Sequence, residues 1–188
     1  MFLRFRRLVV FALLCGCGDV SELIQYADSA SEAQDLNRRV AALANTAFVS
    51  MPDAGSVSYT GNATVVYVQN GVEVGLLGQA NVTADFGTGL VAGSADGFFG
   101  GTGPSDLQSY TGALTFAGQI GVRRPNSFDA VISGDLSGQG QTIAIDGPLM
   151  GNFRGPGAQA MSAVTNAQMA STINGIDVPV RIRVTATQ

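Results

Sequence analysis

The sequence of 188 residues contains no histidine and only two cysteines, and its ten basic side chains are all arginine. A general base would have to be Asp or Glu, and a nucleophile Ser or Tyr. Glu73, Asp85, Asp96, Asp106, Asp129, Asp135, Asp146 and Asp177 fall mostly on the polar positions of alternating segments or in turns, where a solvated charge is the ordinary role. No Asp-Thr-Gly and no Gly-x-Ser-x-Gly stretch accompanies them. Catalysis is not expected. Nor is a cofactor or a metal, because two cysteines without histidine are too few ligands for a closed site.

One stretch has the composition of a phosphate cradle. Residues 151–160, GNFRGPGAQA, set three glycines and a proline around Arg154. A phosphate loop needs backbone amides at a helix start and normally a Lys-Ser/Thr pair. Here there is no lysine, Pro156 removes an amide, and no helical pattern follows. A hairpin fits better: Leu149, Gly151 and Phe153 end one strand, Gly155-Pro156-Gly157 turns, and Ala158 begins the next.

The third chemical feature lies at the start of the chain. Arg4, Arg6 and Arg7 precede an apolar run, Leu8 to Leu14, too short to span a bilayer. Leu14-Cys15-Gly16-Cys17 resembles a bacterial lipobox, which implies removal of residues 1–16 as a signal peptide and a diacylglycerol on the Cys17 thiol. The alternatives are a Cys-x-Cys metal or redox pair, or ordinary secretion. Without Arg4, Arg6 and Arg7, seven arginines face fourteen acids, a formal charge of −7. That balance argues against nucleic acid and against an anionic surface as partner.

The elements that would position these groups divide in two. Residues 19–46 read as a helix, with Val20, Leu23, Ile24, Ala27, Leu36, Val40 and Leu43 at helical spacing, acids early and Arg38 and Arg39 late. Residues 17–54 are expected to act as a helical tether. From Gly55 to residue 188 the period becomes two. Tyr59, Gly61, Ala63, Val65 and Tyr67 share one face of a first strand. Val72 to Phe86, Tyr110 to Phe116, Phe128 to Leu136, Ile143 to Phe153 and Ile176 to Val184 repeat the pattern. Leu90, Ala92 and Ser94 make a short strand, and Ala158 to Val164 a poorer one. About eight one-sided strands with no helix between them predict an eight-stranded antiparallel up-and-down β-barrel, all-β in class. The other faces carry Ser, Thr, Asn, Gln and Asp, unlike the lipid-facing band of a membrane barrel. Gly61, Gly78, Gly112, Gly134 and Gly151 fall on the inward face opposite Tyr59, Phe86, Phe116, Phe128 and Phe153, which predicts a filled interior. SYTGNATV (58–65) and SYTGALTF (109–116) echo one another; a duplicated half-barrel and chance both explain the echo.

Several stretches then resemble one family in the right order. GNFRGPGAQA is similar to the G-x-F-x-G-P-x-A-x-E signature of the barrel domains of transferrin-binding protein B-like lipoproteins. Gly55 to Thr64 looks like that family's opening strand, Gly78 to Phe86 like its second, and Gly93 to Phe98 like its third. Ala160 stands where the signature has glutamate, and Met161-Ser162-Ala163 replaces a Gly-Gly. The resemblance covers most of residues 55–165 and implies a barrel at the cell envelope, anchored to the outer membrane and displayed at the surface or on the periplasmic face. It implies a protein or small nutrient-related ligand, without naming it. Two loops are candidates for that ligand: Gly97 to Pro104, with Phe98 and Phe99, and Gly121 to Asn126, with Arg123 and Arg124. A structural envelope lipoprotein with no free ligand is the alternative.

Overall fold

Residues 18–165 and 170–188 are described by the computed structural model; the apolar N-terminal run and Cys17 lie outside them. Sustained alternation builds six long strands: β1 (Ser56–Gln69), β2 (Val72–Asp85), β3 (Leu90–Gly101), β4 (Thr111–Ile120), β5 (Ser127–Gly138) and β6 (Gln141–Arg154). They are followed by β7, in two pieces (Ala160–Thr165 and Ala170–Ile173), and β8 (Val180–Thr187). Consecutive strands pair antiparallel, β6 pairs with both pieces of β7, and β8 pairs with the first piece of β7 and with β1. The sheet returns to its own first strand as a closed, eight-stranded antiparallel barrel.

Two-residue turns define what we call the upper end. Asn70-Gly71 and Gln139-Gly140 both have positive φ at each position, the conformation that matches the twist of a tight hairpin. The lower end carries the connections 86–89, 121–126 and 155–159, while the longest one, residues 102–110, lies at the upper end.

The interior is filled. Tyr59, Phe128 and Phe153 are buried, with Phe86 at the edge of the same cluster. Ring centroids of Tyr59, Phe86 and Phe128 lie 6.2, 5.2 and 5.4 Å from that of Phe153. Glycine makes room for these rings. A Cβ on Gly151 would sit 2.1 Å from the Phe128 ring, and one on Gly93 2.4 Å from Phe116, each on the strand next door. Phe98 lies over Gly78 and Tyr110 over Gly138 in the same way. Large side chain against absent side chain is how a tightly curved wall reaches interior packing density.

Two strand expectations need correction, and one open alternative is decided. β3 is a long strand of opposite parity to the expected one: Val91 and Ala95 face in, while Leu90 and Ala92 are exposed. Near the chain's end, Ile176 is exposed in a short hairpin bridge and the ladder resumes only at Val180, because Pro179 has no N–H to give it. The S-Y-T-G echo is not a repeated half-barrel. Four-strand halves would superpose β1 on β5, whereas the echo maps β1 onto β4, which runs in the opposite direction.

The helix α1 (Gly18–Ala42) ends four residues earlier than expected and is no free tether. It lies across the outer wall along one lateral row of register partners: Asn152, Ser162, Thr185, Asn62, Gln79 and Asp96. Asn62 and Thr185 point outward yet are buried beneath it. The contacting stripe is Tyr26, Ser29, Ala33, Asn37 and Val40, at helical spacing. Leu23, Ile24 and Ala27, expected on the packed face, are exposed. A row of polar wall side chains accepts small residues at close approach, and bulky aliphatics have no apolar surface there to cover.

Candidate functional site

The candidate residues stand at two separate places. Arg123 and Arg124 occupy the β4–β5 connection at the lower end, both exposed. Arg123 Nε donates to both carboxylate oxygens of Asp129, at 2.7 and 2.9 Å, so its charge is already partnered. Among the described residues Arg124 makes only backbone hydrogen bonds: its N–H donates to Ser127 Oγ, and its carbonyl accepts from the Ser127 N–H and hydroxyl. Its side chain is exposed.

The same end contains the GNFRGPGAQA turn, where Pro156–Ala158 form a single 3-10 turn. Its role is architectural. The Tyr59 hydroxyl donates to the Ala158 carbonyl at 2.7 Å, where Ala158 holds a φ of 58° and is fully buried. Burial raises the Tyr59 phenol to about 12, the Gln188 side chain pulling slightly the other way. Arg154 donates from Nε to Ser162 Oγ and from Nη1 to the Leu43 carbonyl, both at 3.0 Å. The segment after α1 is drawn across this end. Thr46 N–H bonds the Phe153 carbonyl, Thr46 Oγ1 the Gly155 carbonyl, and Asn126 Nδ2 the Thr46 carbonyl. The arginine of the signature is thus a clamp on the N-terminal segment, and no phosphate cradle forms.

What lies outermost here is apolar. Val49 is 96% exposed and Phe48 56%, both on a 3-10 turn (Phe48–Ser50); Leu90 and Val122 are also exposed at the same end. Sequence reasoning missed this quartet. Phe48 and Val49 fall just past the helical run 19–46, inside the tether 17–54, where no motif or alternation marks them.

Phe98 and Phe99 are elsewhere, near the upper part of β3, and they are not in a flexible loop. Gly97 to Gly101 belong to the strand. The β2–β3 register shifts between Leu77 and Gln79, so that Gly97 and Phe98 oppose Gly78 alone, with Gly97 at φ 62°. This bulge re-aims the side chains that follow it. Phe98 turns inward and is 1% exposed, which removes it from any ligand surface. Phe99 turns outward and meets Tyr26 of α1, ring centroids 5.9 Å apart at 51°. Between helix and wall the two rings flank a cleft of about 370 Å³, also lined by Gln25, Ser29, Leu77, Gln79 and Ser109. Nothing local in the sequence links Tyr26 to Phe99. The structure therefore does not bring the two arginines and the two phenylalanines together: they sit at opposite ends of the barrel, and one of the four is in its core.

Buried phenols mark the barrel's axis. Burial also pushes Tyr67 well above the ordinary tyrosine range, with the neighbouring Tyr110 and the Asp106 carboxylate adding to the effect. Among the described residues no group of three or more His, Cys, Asp or Glu side chains is placed to hold a metal, and no helix is long and apolar enough to cross a membrane.

No protein-family model and no curated protein matches this sequence. Solved structures do. A transferrin binding protein B double mutant from Haemophilus parasuis Hp5 is 17% identical, with a TM-score of 0.50 over 77% of this chain. Intact Ap-TbpB, with its N and C lobes, is 17% identical over the same share, with a TM-score of 0.49. In both comparisons the chain spans 28% of the other protein's length. At this identity the likeness is one of fold, and it agrees with the ordered sequence resemblance: the chain carries a barrel like that of transferrin binding protein B.

Proposed function

We propose that this chain is a lipid-anchored binding protein of the cell envelope, with residues 1–16 as signal peptide, Cys17 as the acylated residue, 17–54 as a strap and 55–188 as the barrel. The observation that carries the binding reading is the filled interior, which leaves the outside of the barrel as the only place for a partner. At the lower end Phe48, Val49, Leu90 and Val122 present apolar side chains near the exposed Arg124, whose guanidinium has no partner among the described residues. Exposed apolar groups with an adjacent arginine are the usual composition of a protein-binding surface. The partner is a protein with an acidic rim, met outside the cell or in the periplasm. Transferrin is the ligand in the name of the structural neighbour; this chain covers only a fraction of that receptor, and the proposal does not extend to that ligand.

Placement follows from α1. Its first residue is Gly18, immediately after Cys17, and the helix runs from the upper half of the wall down to the lower end. An acyl chain on Cys17 holds the barrel by the upper part of the helix and turns the lower end away from the lipid.

The test combines three measurements on cells expressing the full chain: acyl-chain labelling, membrane fractionation, and protease treatment of intact cells. Labelled, membrane-bound protein that protease removes from intact cells is the expected result for a surface protein. Protection until the outer membrane is opened assigns the periplasmic face. Cys17→Ala should abolish labelling and release the barrel to the soluble fraction. Unchanged mass and fractionation of that variant would remove the lipoprotein reading altogether.

A further inference from the structure

We infer that the cleft between α1 and the β2–β3 wall is a binding site for an uncharged saccharide. The inference rests on reading the chain as a binding protein, but on neither the anchor nor the lower end. Its walls come from two elements far apart in sequence, Gln25, Tyr26 and Ser29 on the helix and Leu77, Gln79, Phe99 and Ser109 on the barrel side. The volume of about 370 Å³ falls at the small end of ligand pockets, which run from roughly 300 to 1,000 Å³.

The lining decides the ligand's chemistry. Among the described residues no charged side chain lines the cleft, and its polar groups are neutral amides and hydroxyls. Two aromatic rings, tilted at 51°, offer faces to an apolar surface. Around them stand the amides of Gln25 and Gln79 and the hydroxyls of Ser29 and Ser109, none of which has a side-chain hydrogen-bond partner among the described residues. Each amide brings both a donor and an acceptor, and each hydroxyl brings both in one atom. A ligand with flat apolar faces and a rim of hydroxyl groups matches that set, and a pyranose ring has this form.

The backbone is arranged to make the cleft. The bulge opposes Gly97 and Phe98 to Gly78, and both glycines line the floor. A Cβ on Gly78 would lie 2.7 Å from the Asp96 carbonyl and 2.8 Å from the Phe98 ring, so the glycine lets Phe98 pack inward at the bulge beneath the cleft. Without the extra residue Phe99 would point inward and the cleft would lose one wall. Bulges next to sites commonly re-aim a side chain in this way.

The experiment is saturation-transfer NMR on the purified barrel with its helix, using maltose and N,N′-diacetylchitobiose at millimolar concentration. Ring protons of at least one saccharide should receive saturation. Tyr26→Ala and Gln79→Ala should each weaken the signal about fivefold or more, the range expected for losing one aromatic or polar contact. Ser133→Ala, exposed on β5, should leave it unchanged. Gln79→Ala lies on the exposed wall, and equal urea midpoints for the variants separate lost contact from lost fold. A second arm uses an immobilised glycoprotein before and after enzymatic removal of its glycans. Retention that disappears with the glycans assigns a protein-borne saccharide, and binding of the free sugars alone assigns a soluble one. No saturation transfer to either sugar and no glycan-dependent retention overturns the inference, as does a signal that neither Tyr26→Ala nor Gln79→Ala reduces. Either failure leaves the anchored, partner-binding reading standing, and failure of the Cys17→Ala test leaves the cleft untouched.

Discussion

Replacing Phe153 with alanine asks whether the barrel is packed through its middle. Phe153 is fully buried and touches three other rings, those of Tyr59, Phe86 and Phe128, at centroid distances of 6.2, 5.2 and 5.4 Å. Its backbone is tied independently, its N–H to the Asn126 carbonyl and its carbonyl to the Thr46 N–H, so truncation removes the ring without freeing the strand. Phe→Ala in a rigid core costs about 3–5 kcal/mol, because the walls collapse only partly into the space left. Three tilted aromatic neighbours, each worth about 0.5–1.5 kcal/mol beyond burial, put this site in the upper half, about 4–5 kcal/mol. With a urea slope of about 2 kcal/mol/M, the unfolding midpoint should fall by about 2 M, followed by far-ultraviolet circular dichroism. Phe48→Ala, more than half exposed, is the control and should cost about 0.5 kcal/mol or less. A fall of under about 0.5 M for Phe153→Ala would mean a loosely filled chamber. The interior would then become the place to look for a ligand, and the placement of binding on the outside would lose its basis.

Stability should also decline at high pH in a way set by the buried phenols. Tyr59 ionises at about 12 in the folded chain and at 10.0 in the unfolded one. The folded state therefore keeps a proton that the unfolded state releases. The contribution is complete below pH 10 and is lost as the pH rises toward 12. Tyr67 acts in the same direction. Urea midpoints measured across that window should fall, and Tyr59→Phe should flatten the fall while costing about 1–2 kcal/mol at neutral pH through the lost bond to Ala158. Ala33→Glu forces a charge under α1 at a buried contact. Hydrogen exchange of the helix amides should quicken about tenfold or more while the barrel amides keep their rates. Arg123→Ala removes an exposed ion pair to Asp129 and should shift stability by about 0.5 kcal/mol or less by thermal melting.

The barrel was legible because one side of a strand must be apolar and the other need not be. Wherever a single parity was available, as in Tyr59 to Tyr67 or Phe128 to Leu136, inward and outward faces came out as read. β3 was not legible on that basis. Leu90 and Val91 are both apolar, so alternation cannot choose between them, and the bulge at Gly97 reverses the parity within the strand. Phe98 and Phe99 are adjacent aromatics of equal character, and only the pairing with Gly78 tells the buried one from the exposed one. The run Ile176 to Val184 alternates without a break, yet Pro179 interrupts the ladder that the alternation predicts. The helix was visible but its packed face was not. Leu23 and Ile24 are the more hydrophobic residues, and the wall selects Ser29 and Ala33 because what faces them is Asn62 and Thr185. The cleft needed residues 26 and 99 to meet, which depends on how a helix crosses six strands and leaves no local trace.

The seam where β1 meets β8 joins the first strand of the barrel to the last. Until Val180–Thr187 is in place, β1 and the first piece of β7 both keep bare edges, and the bond from Gln188 N–H to the Gln159 carbonyl follows only once that strand has docked. Closing that loop brings together residues more than a hundred positions apart, the slowest kind of contact to form. Pairing of β8 with β1 is the event that shuts the barrel, so a chain whose β8 is not yet in place stays open along one seam, with every earlier hairpin already able to form.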